Sequence, residues 1–281
     1  MAFALLAVLL GLALAVGFTG TEDDDPSVTI DGTEGDDEVY AGERDNLIRG
    51  FDGNDSLHGG PGDDTLEGGT GNDLLYTGPG DDRADGGDGN DRLESWNGGN
   101  DTLLGGAGDD SILLRSPGTA LVDGGAGDDS ISWADGAATI NGGEGDDEIF
   151  IGGLRDGLLD GGAGTDTLHL GGLVRGVETI SLGRDGGGIV TDGEVELEFR
   201  DFEIFELPYD VVPAIFDASD SEVGITVIDN PEDGRFGYGF STITGGSGDD
   251  HFINGTVMDG GAGDDLLVRT DGGGTLTGGA G

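Results

Sequence analysis

Between Gly32 and His169 a single aliphatic residue returns about every nine positions, set among glycine and polar residues. With single-residue insertions at Ser95, Asp123 and Asp160, these positions are Val39, Ile48, Leu57, Leu66, Leu75, Ala84, Leu93, Leu103, Ile112, Leu121, Ile131, Ile140, Ile149, Leu158 and Leu168. All but Ala84 are large, so this stripe is the candidate core. A helix cannot use the pattern, because nine residues do not bring one face back into register and paired glycines cost about 1 kcal/mol each. A six-residue turn followed by a three-residue strand can. Two such units make one coil of a parallel solenoid, with strands stacked about 4.8 Å apart and the aliphatic residue pointing inward. The units then build about seven coils, roughly 35 Å of roll at that spacing.

When the aliphatic residue is placed at position 8 of each unit, glycine recurs at position 4 and aspartate at position 6. The cleanest copies run over residues 59–67, 68–76 and 142–150. Glycines in this register read as tight turns needing positive φ; without it they would read as flexible linker. Alternate units fall on opposite edges of a solenoid, so they sort by parity. The odd units hold Gly35/Asp37, Gly53/Asp55, Gly71/Asp73, Gly89/Asp91, Gly108/Asp110, Gly127/Asp129, Gly145/Asp147 and Gly164/Asp166. The even units keep both residues only at Gly62/Asp64, Gly80/Asp82 and Gly99/Asp101. The other even units read Arg44/Asn46, Pro117/Thr119, Gly136/Ala138 and Leu154/Asp156.

The formal net charge of -48 on 281 residues would ordinarily keep a chain expanded. A disordered acidic tail does not hold carboxylates in a fixed register with an aliphatic residue two places on, so the spacing points to a small hard cation. Cysteine is absent, which removes disulfides and thiolate metal sites and leaves oxygen ligands that favour calcium. His58, His169 and His251 sit at strand positions, and no His-Glu-x-x-His is present. Charge of this sign excludes nucleic acid as a partner.

These repeats resemble the RTX family, the hemolysin-type calcium-binding nonapeptide repeat proteins. The resemblance implies an all-β fold, a right-handed parallel β-roll with calcium ions (several Ca2+) in its turns. It implies that the position 6 aspartates supply carboxylate oxygens and that carbonyls around positions 2 and 4 supply the rest. Each ion would sit between one turn and the next on the same edge. The eight odd turns would then form an unbroken ladder with up to seven gaps to fill, whereas the even edge has about two before it degrades. A second block carries Gly248/Asp250 and Gly263/Asp265 and is expected to bind in the same way.

The degraded edge also gathers Arg44, Arg83, Arg115, Arg155, Trp96 and Trp133. Either arginine replaces calcium as counter-ion while tryptophan covers the coil, or the edge binds a cell-surface or glycan partner. From Leu170 to Thr244 the repeat stops and aromatic residues collect: Phe199, Phe202, Phe205, Tyr209, Phe216, Phe236, Tyr238 and Phe240. Arg175–Leu182 and Arg200–Leu207 rhyme at a 25-residue offset and alternate as strands do. This segment reads as calcium-free β-helix continuing the stack, with a separate ligand-binding domain as the alternative.

Residues 2–18 are apolar and about 26 Å long as a short helix, just under a bilayer core. They read as a cleaved signal peptide or a retained membrane anchor, the chain's one membrane contact, which would place the repeats outside the cytoplasm. The expected layout is signal or anchor 1–20, acidic linker 21–30, calcium β-roll 31–169, calcium-free segment 170–244 and a second repeat block 245–281. That block stops four residues into a further unit and reads as truncated. No nucleophile–base pair, phosphate loop or distinctive carboxylate pair stands out, so catalysis is not expected. The sequence thus favours an extracellular calcium-binding structural protein whose roll folds on calcium. The alternatives are an adhesin or matrix fragment and the accessory part of a secreted enzyme.

Overall fold

The computed structural model describes residues 27–115, 117–170, 179–207, 215–229, 242–269 and 274–281. The apolar segment 2–18, most of the acidic linker, residues 175–178, Tyr209, Phe236, Tyr238 and Phe240 lie outside the described residues. Every regular element among the described residues is a strand, and no described helix is long and apolar enough to cross a membrane. The chain divides into two compact units, Met1–Glu144 and Gly145–Gly281.

In the first unit each coil contributes one strand to each of two parallel sheets. One sheet stacks Val28–Asp31, Asn46–Asp52, Thr65–Thr70, Arg83–Asp88, Thr102–Ala107, Thr119–Ala126 and Ala137–Glu144 in sequence order. The other stacks Glu38–Tyr40, Ser56–His58, Leu74–Tyr76, Arg92–Ser95, Ser111–Leu114 and Ser130–Trp133. Pairing an 18-residue step apart sets Ile48 beside Leu66 and Leu57 beside Leu75. Position 8 therefore stacks on itself up each sheet, and Ile48, Leu57, Leu66, Leu75, Ala84, Leu93 and Leu103 are all fully buried. The two sheets differ in strand length. After an even turn the chain stays paired through positions 1 to 3 of the next unit, as Phe51 with Gly69 and Asp52 with Thr70 show.

Two core positions need correction. Leu121 is 51% exposed, and the core position is Val122, which pairs with Leu103 and Ile140. Leu158 likewise yields to the fully buried Leu159. The extra residue of each unit is taken up in the turn before the strand, not after it, because ladder pairing rewards keeping the aliphatic column in line. The even turns so renumbered carry Gly118/Ala120 and Arg155/Gly157 in place of Pro117/Thr119 and Leu154/Asp156.

In the second unit Glu148–Ile151, Thr167–His169, Ile204–Leu207, Thr226–Asp229, His251–Ile253 and Leu266–Val268 form a parallel sheet. The other sheet runs Gly157–Ala163, Glu196–Arg200, Gly188–Thr191, Thr179–Leu182, Ile215–Asp217, Thr242–Thr244, Val257–Asp259 and Thr275–Thr277. Its Gly188–Thr191 strand is antiparallel to both neighbours, so the non-repeat segment enters as a local meander within a parallel sheet. The rhyming segments reach different sheets, through Thr179–Leu182 and Ile204–Leu207. Phe199, Phe205 and Phe216 pack edge to face at 5.4 and 5.2 Å and are buried, as is Phe202. These aromatics replace the thin aliphatic column with a broader core.

Candidate metal centre

The turns bring the position 6 aspartates into one buried column per edge. On the odd edge of the first unit Asp37 donates its backbone N–H to Asp55 Oδ1 at 2.8 Å. Asp55 does the same to Asp73, Asp73 to Asp91 and Asp91 to Asp110, each at 2.7 Å, and Asp110 to Asp129 at 2.8 Å. One oxygen of each carboxylate thus locks its turn to the preceding turn on that edge. The position 5 side chains bond in the opposite sense: Asn54 N–H donates to Asp36 Oδ1 and Asn72 N–H to Asn54 Oδ1, both at 2.8 Å. The second oxygen of the buried column is different. Asp55, Asp73, Asp91 and Asp110 keep a buried Oδ2 that accepts no hydrogen bond from any described residue, and Asp64 on the even edge does too.

An unpartnered carboxylate oxygen away from water is costly unless a cation completes it. Glycine holds the space open. A Cβ built on Gly59 would lie 2.7 Å from Asp64 Oδ2 and 2.6 Å from the Thr77 carbonyl oxygen of the next coil. At position 4, Gly71 has φ +123° and any Cβ there would strike the Gly53 carbonyl. No group of three or more Asp, Glu or His side chains among the described residues is arranged to hold a metal. Each ligand set must therefore combine one carboxylate per turn with carbonyl oxygens, a hard-donor set that suits calcium.

Burial pushes Asp55, Asp73 and Asp166 up to about 6 and Asp82 and Asp110 up to about 7. In each case the N–H bond from the preceding turn pulls the other way, and neighbouring aspartates push further up. Asp64, Asp91, Asp101 and Asp250 are raised by burial as well. Without a cation this column resists ionisation.

The remaining candidates are placed less uniformly. Asp37, in the first coil, spends its Oδ2 on the Thr33 amide and hydroxyl, and a Cβ on Gly35 would meet nothing. On the even edge Asn46 donates to Asp64 Oδ1 at 2.7 Å, Asp64 to Asp82 at 2.8 Å and Asp82 to Asp101 at 3.1 Å. Asp101 Oδ2 is taken by the Ser95 hydroxyl, and after it the column turns to Ala120 and Ala138. The pair Gly99/Asp101, which keeps both motif residues, thus differs chemically from Gly62/Asp64, a distinction that rests on the inserted Ser95. In the second unit Asp147 donates to Asp166 Oδ1 at 2.9 Å. Asp250 accepts from Ile225 and donates to Asp265 Oδ1, both at 3.0 Å. Asp250 Oδ2 accepts from the Gly246 amide, whereas Asp265 Oδ2 accepts no hydrogen bond from any described residue.

A family model for the RTX calcium-binding nonapeptide repeat matches four stretches, residues 31–66, 58–93, 97–114 and 237–256. The chain carries RTX calcium-binding nonapeptide repeats. No curated protein matches it. The RTX register continues beyond the matched stretches, for Gly127/Asp129, Gly145/Asp147 and Gly164/Asp166 occupy the same turn positions. One residue outside the RTX pattern belongs with them: Asp166 donates to Glu203 Oε2 at 2.9 Å, 37 residues away.

Trp133, grouped by sequence with the exposed even edge, is buried at the end of Ser130–Trp133, with Nε1 donating to the Asp135 carbonyl at 2.9 Å. Trp96 stays partly open, with the Arg115 guanidinium 4.6 Å from its ring centre and its Nε1 on Glu94 Oε2. Arg83 pairs with Asp85 on its own strand, at 2.9 Å, not with a turn aspartate.

Proposed function

We propose that this is an extracellular, non-catalytic structural protein whose RTX roll folds as calcium fills its turns. The observation that carries this reading is the column of buried Oδ2 atoms on Asp55, Asp73, Asp91 and Asp110. The backbone bonds of the roll satisfy one oxygen of each carboxylate and leave the other to a cation. Calcium supplies the positive charge and the open coordination that these oxygens need. In the cell, where calcium is scarce, 59 acidic residues against 11 arginines keep the chain expanded; outside, millimolar calcium lets the coils close. Residues 2–18, as signal peptide or anchor, would deliver it there.

Small-angle scattering tests the coupling. In chelator the chain should have a radius of gyration near 60 Å, as expected of an unfolded polymer of this length. Calcium should shrink it by more than half, toward the roughly 19 Å of a compact chain of this length. A chelated chain as small as the calcium form would remove the reading.

A second role, adhesion, is supported by one surface feature. Tyr40, His58 and Tyr76 stack at 4.3 and 4.7 Å along one sheet, and an open cleft of about 410 Å³ is lined by His58, Tyr76 and Trp96 together with Gly60, Thr77 and Gly78. An open cleft lined in part by aromatic residues suits a sugar ring or another cell-surface group. The described aromatics of the 170–244 segment are core residues, so they favour this cleft over that segment as the recognition surface. Loss of glycan or cell binding in Trp96→Ala, with the calcium response kept, is the expected result.

A further inference from the structure

After Asp166 the sequence offers no repeat turn until Gly245. The structure nevertheless places a turn against it. Strands Glu196–Arg200 and Ile204–Leu207 are joined by Asp201, Phe202 and Glu203, and Ile204 pairs with Thr167. Glu203 therefore falls in the register of a position 6 aspartate. Its Oε2 accepts the Asp166 N–H at 2.9 Å, the bond that a repeat aspartate accepts elsewhere in the column. A Cβ on Gly161 would strike the Asp201 carbonyl and lie 2.8 Å from Asp166 Oδ2, the same carbonyl and carboxylate pairing seen at Gly59. Asp166 is fully buried, and its Oδ2 accepts no hydrogen bond from any described residue.

The turn is also held firmly. Arg200 Nε donates to Asp160 Oδ2 at 2.8 Å, and Phe202 is buried 6.4 Å from both Phe199 and Phe205. Asp201 adopts φ +56°, a left-handed conformation that asparagine and aspartate tolerate better than most residues.

We propose that Asp166, the Asp201 carbonyl and the Glu203 carboxylate form a calcium site made from one repeat turn and one non-repeat turn. This rests on the reading that the repeat turns bind calcium. Such a site ties the meander-bearing segment to the repeats through an ion that counting motifs would not assign to it.

The test uses the full chain at saturating calcium, with bound ions counted by native mass spectrometry and affinities measured by calorimetry. Glu203→Gln keeps the acceptor for the Asp166 amide and removes the charge. It should lose one ion, or bind it at least tenfold more weakly, as should Asp166→Asn, with no further loss in the double variant. Asp201→Asn keeps the carbonyl and should match the parent. An unchanged ion count and affinity in Glu203→Gln overturns the proposal, and so does an equal loss in Asp201→Asn. If Glu203→Gln does not fold, Glu203→Asp decides: weakened binding of one ion supports the site, and parental binding overturns it. Asp73→Asn is the control. If it too binds as the parent does, the calcium reading of the repeats has failed as well.

Discussion

Asp73 gives its backbone N–H to Asp91 Oδ1 at 2.7 Å, while Asp91 Oδ2, on the same buried carboxylate, receives no hydrogen bond from any described residue. One side chain is thus half a structural fastener and half an open ligand. The metal-free and calcium-bound states should respond to its chemistry in opposite directions.

Asp91→Asn preserves the acceptor for Asp73 and removes the charge. In chelator, where the parent is expanded, this variant should fold at a lower concentration of stabilising osmolyte than the parent, because an uncompensated buried carboxylate has gone. In calcium it should be less stable, with the calcium midpoint raised severalfold. Osmolyte-induced folding in chelator and urea melts in calcium check this crossing. A variant less stable than the parent in both conditions would mean that the carboxylate is purely a fastener.

Acidity should partly replace calcium. Asp55, Asp73 and Asp166 are raised to about 6 and Asp82 and Asp110 to about 7, from an ordinary value of 3.8. The folded metal-free chain therefore binds more protons than the unfolded chain between those limits. The stability these groups contribute is fully present below about pH 4 and is lost as pH rises through 6 to 7. Calcium-free protein should show a cooperative thermal melt at pH 4.5 and none at pH 8, where it is expanded, and in calcium it should melt cooperatively at both.

The adjacent pair Leu121 and Val122 reports the register. Val122→Ala, in the stacked core, should cost on the order of 1–3 kcal/mol, whereas Leu121→Ala should stay within about 0.5 kcal/mol. Denaturant melts at saturating calcium distinguish them. The reverse order would restore the nine-residue spacing inferred for that unit from sequence.

Much of the fold was legible because each coil repeats the last. A column such as Leu57 and Leu75 needs only the period to be placed. Leu121 beside Val122, and Leu158 beside Leu159, defeated the same reading, since two neighbouring aliphatics give no chemical hint of which faces inward; pairing with Leu103 decides the first. Trp133 was read as surface because it opens a turn by count, yet it ends a strand and is buried. Glu203 was illegible for a different reason. Its separation from Asp166 follows from the intervening meander, and no spacing rule contains it.

The buried oxygen at Asp101 adds a check on the even edge. Ser95→Ala removes the hydroxyl that occupies Asp101 Oδ2. The metal-free fold should lose about 1–3 kcal/mol through an unsatisfied buried oxygen, and calcium should recover most of it. Recovery is read by comparing osmolyte-induced folding without calcium and urea melts with it. A loss that persists in calcium would show that Asp101 belongs to the scaffold alone.

The most direct measurement is far-ultraviolet circular dichroism of the whole chain at pH 7.5 as calcium is raised from excess chelator. The account predicts a disordered spectrum at first, then a cooperative rise of β-signal near 10⁻⁴–10⁻³ M calcium, the range of extracellular calcium modules. Full β-signal in chelator, unchanged by calcium, would contradict it.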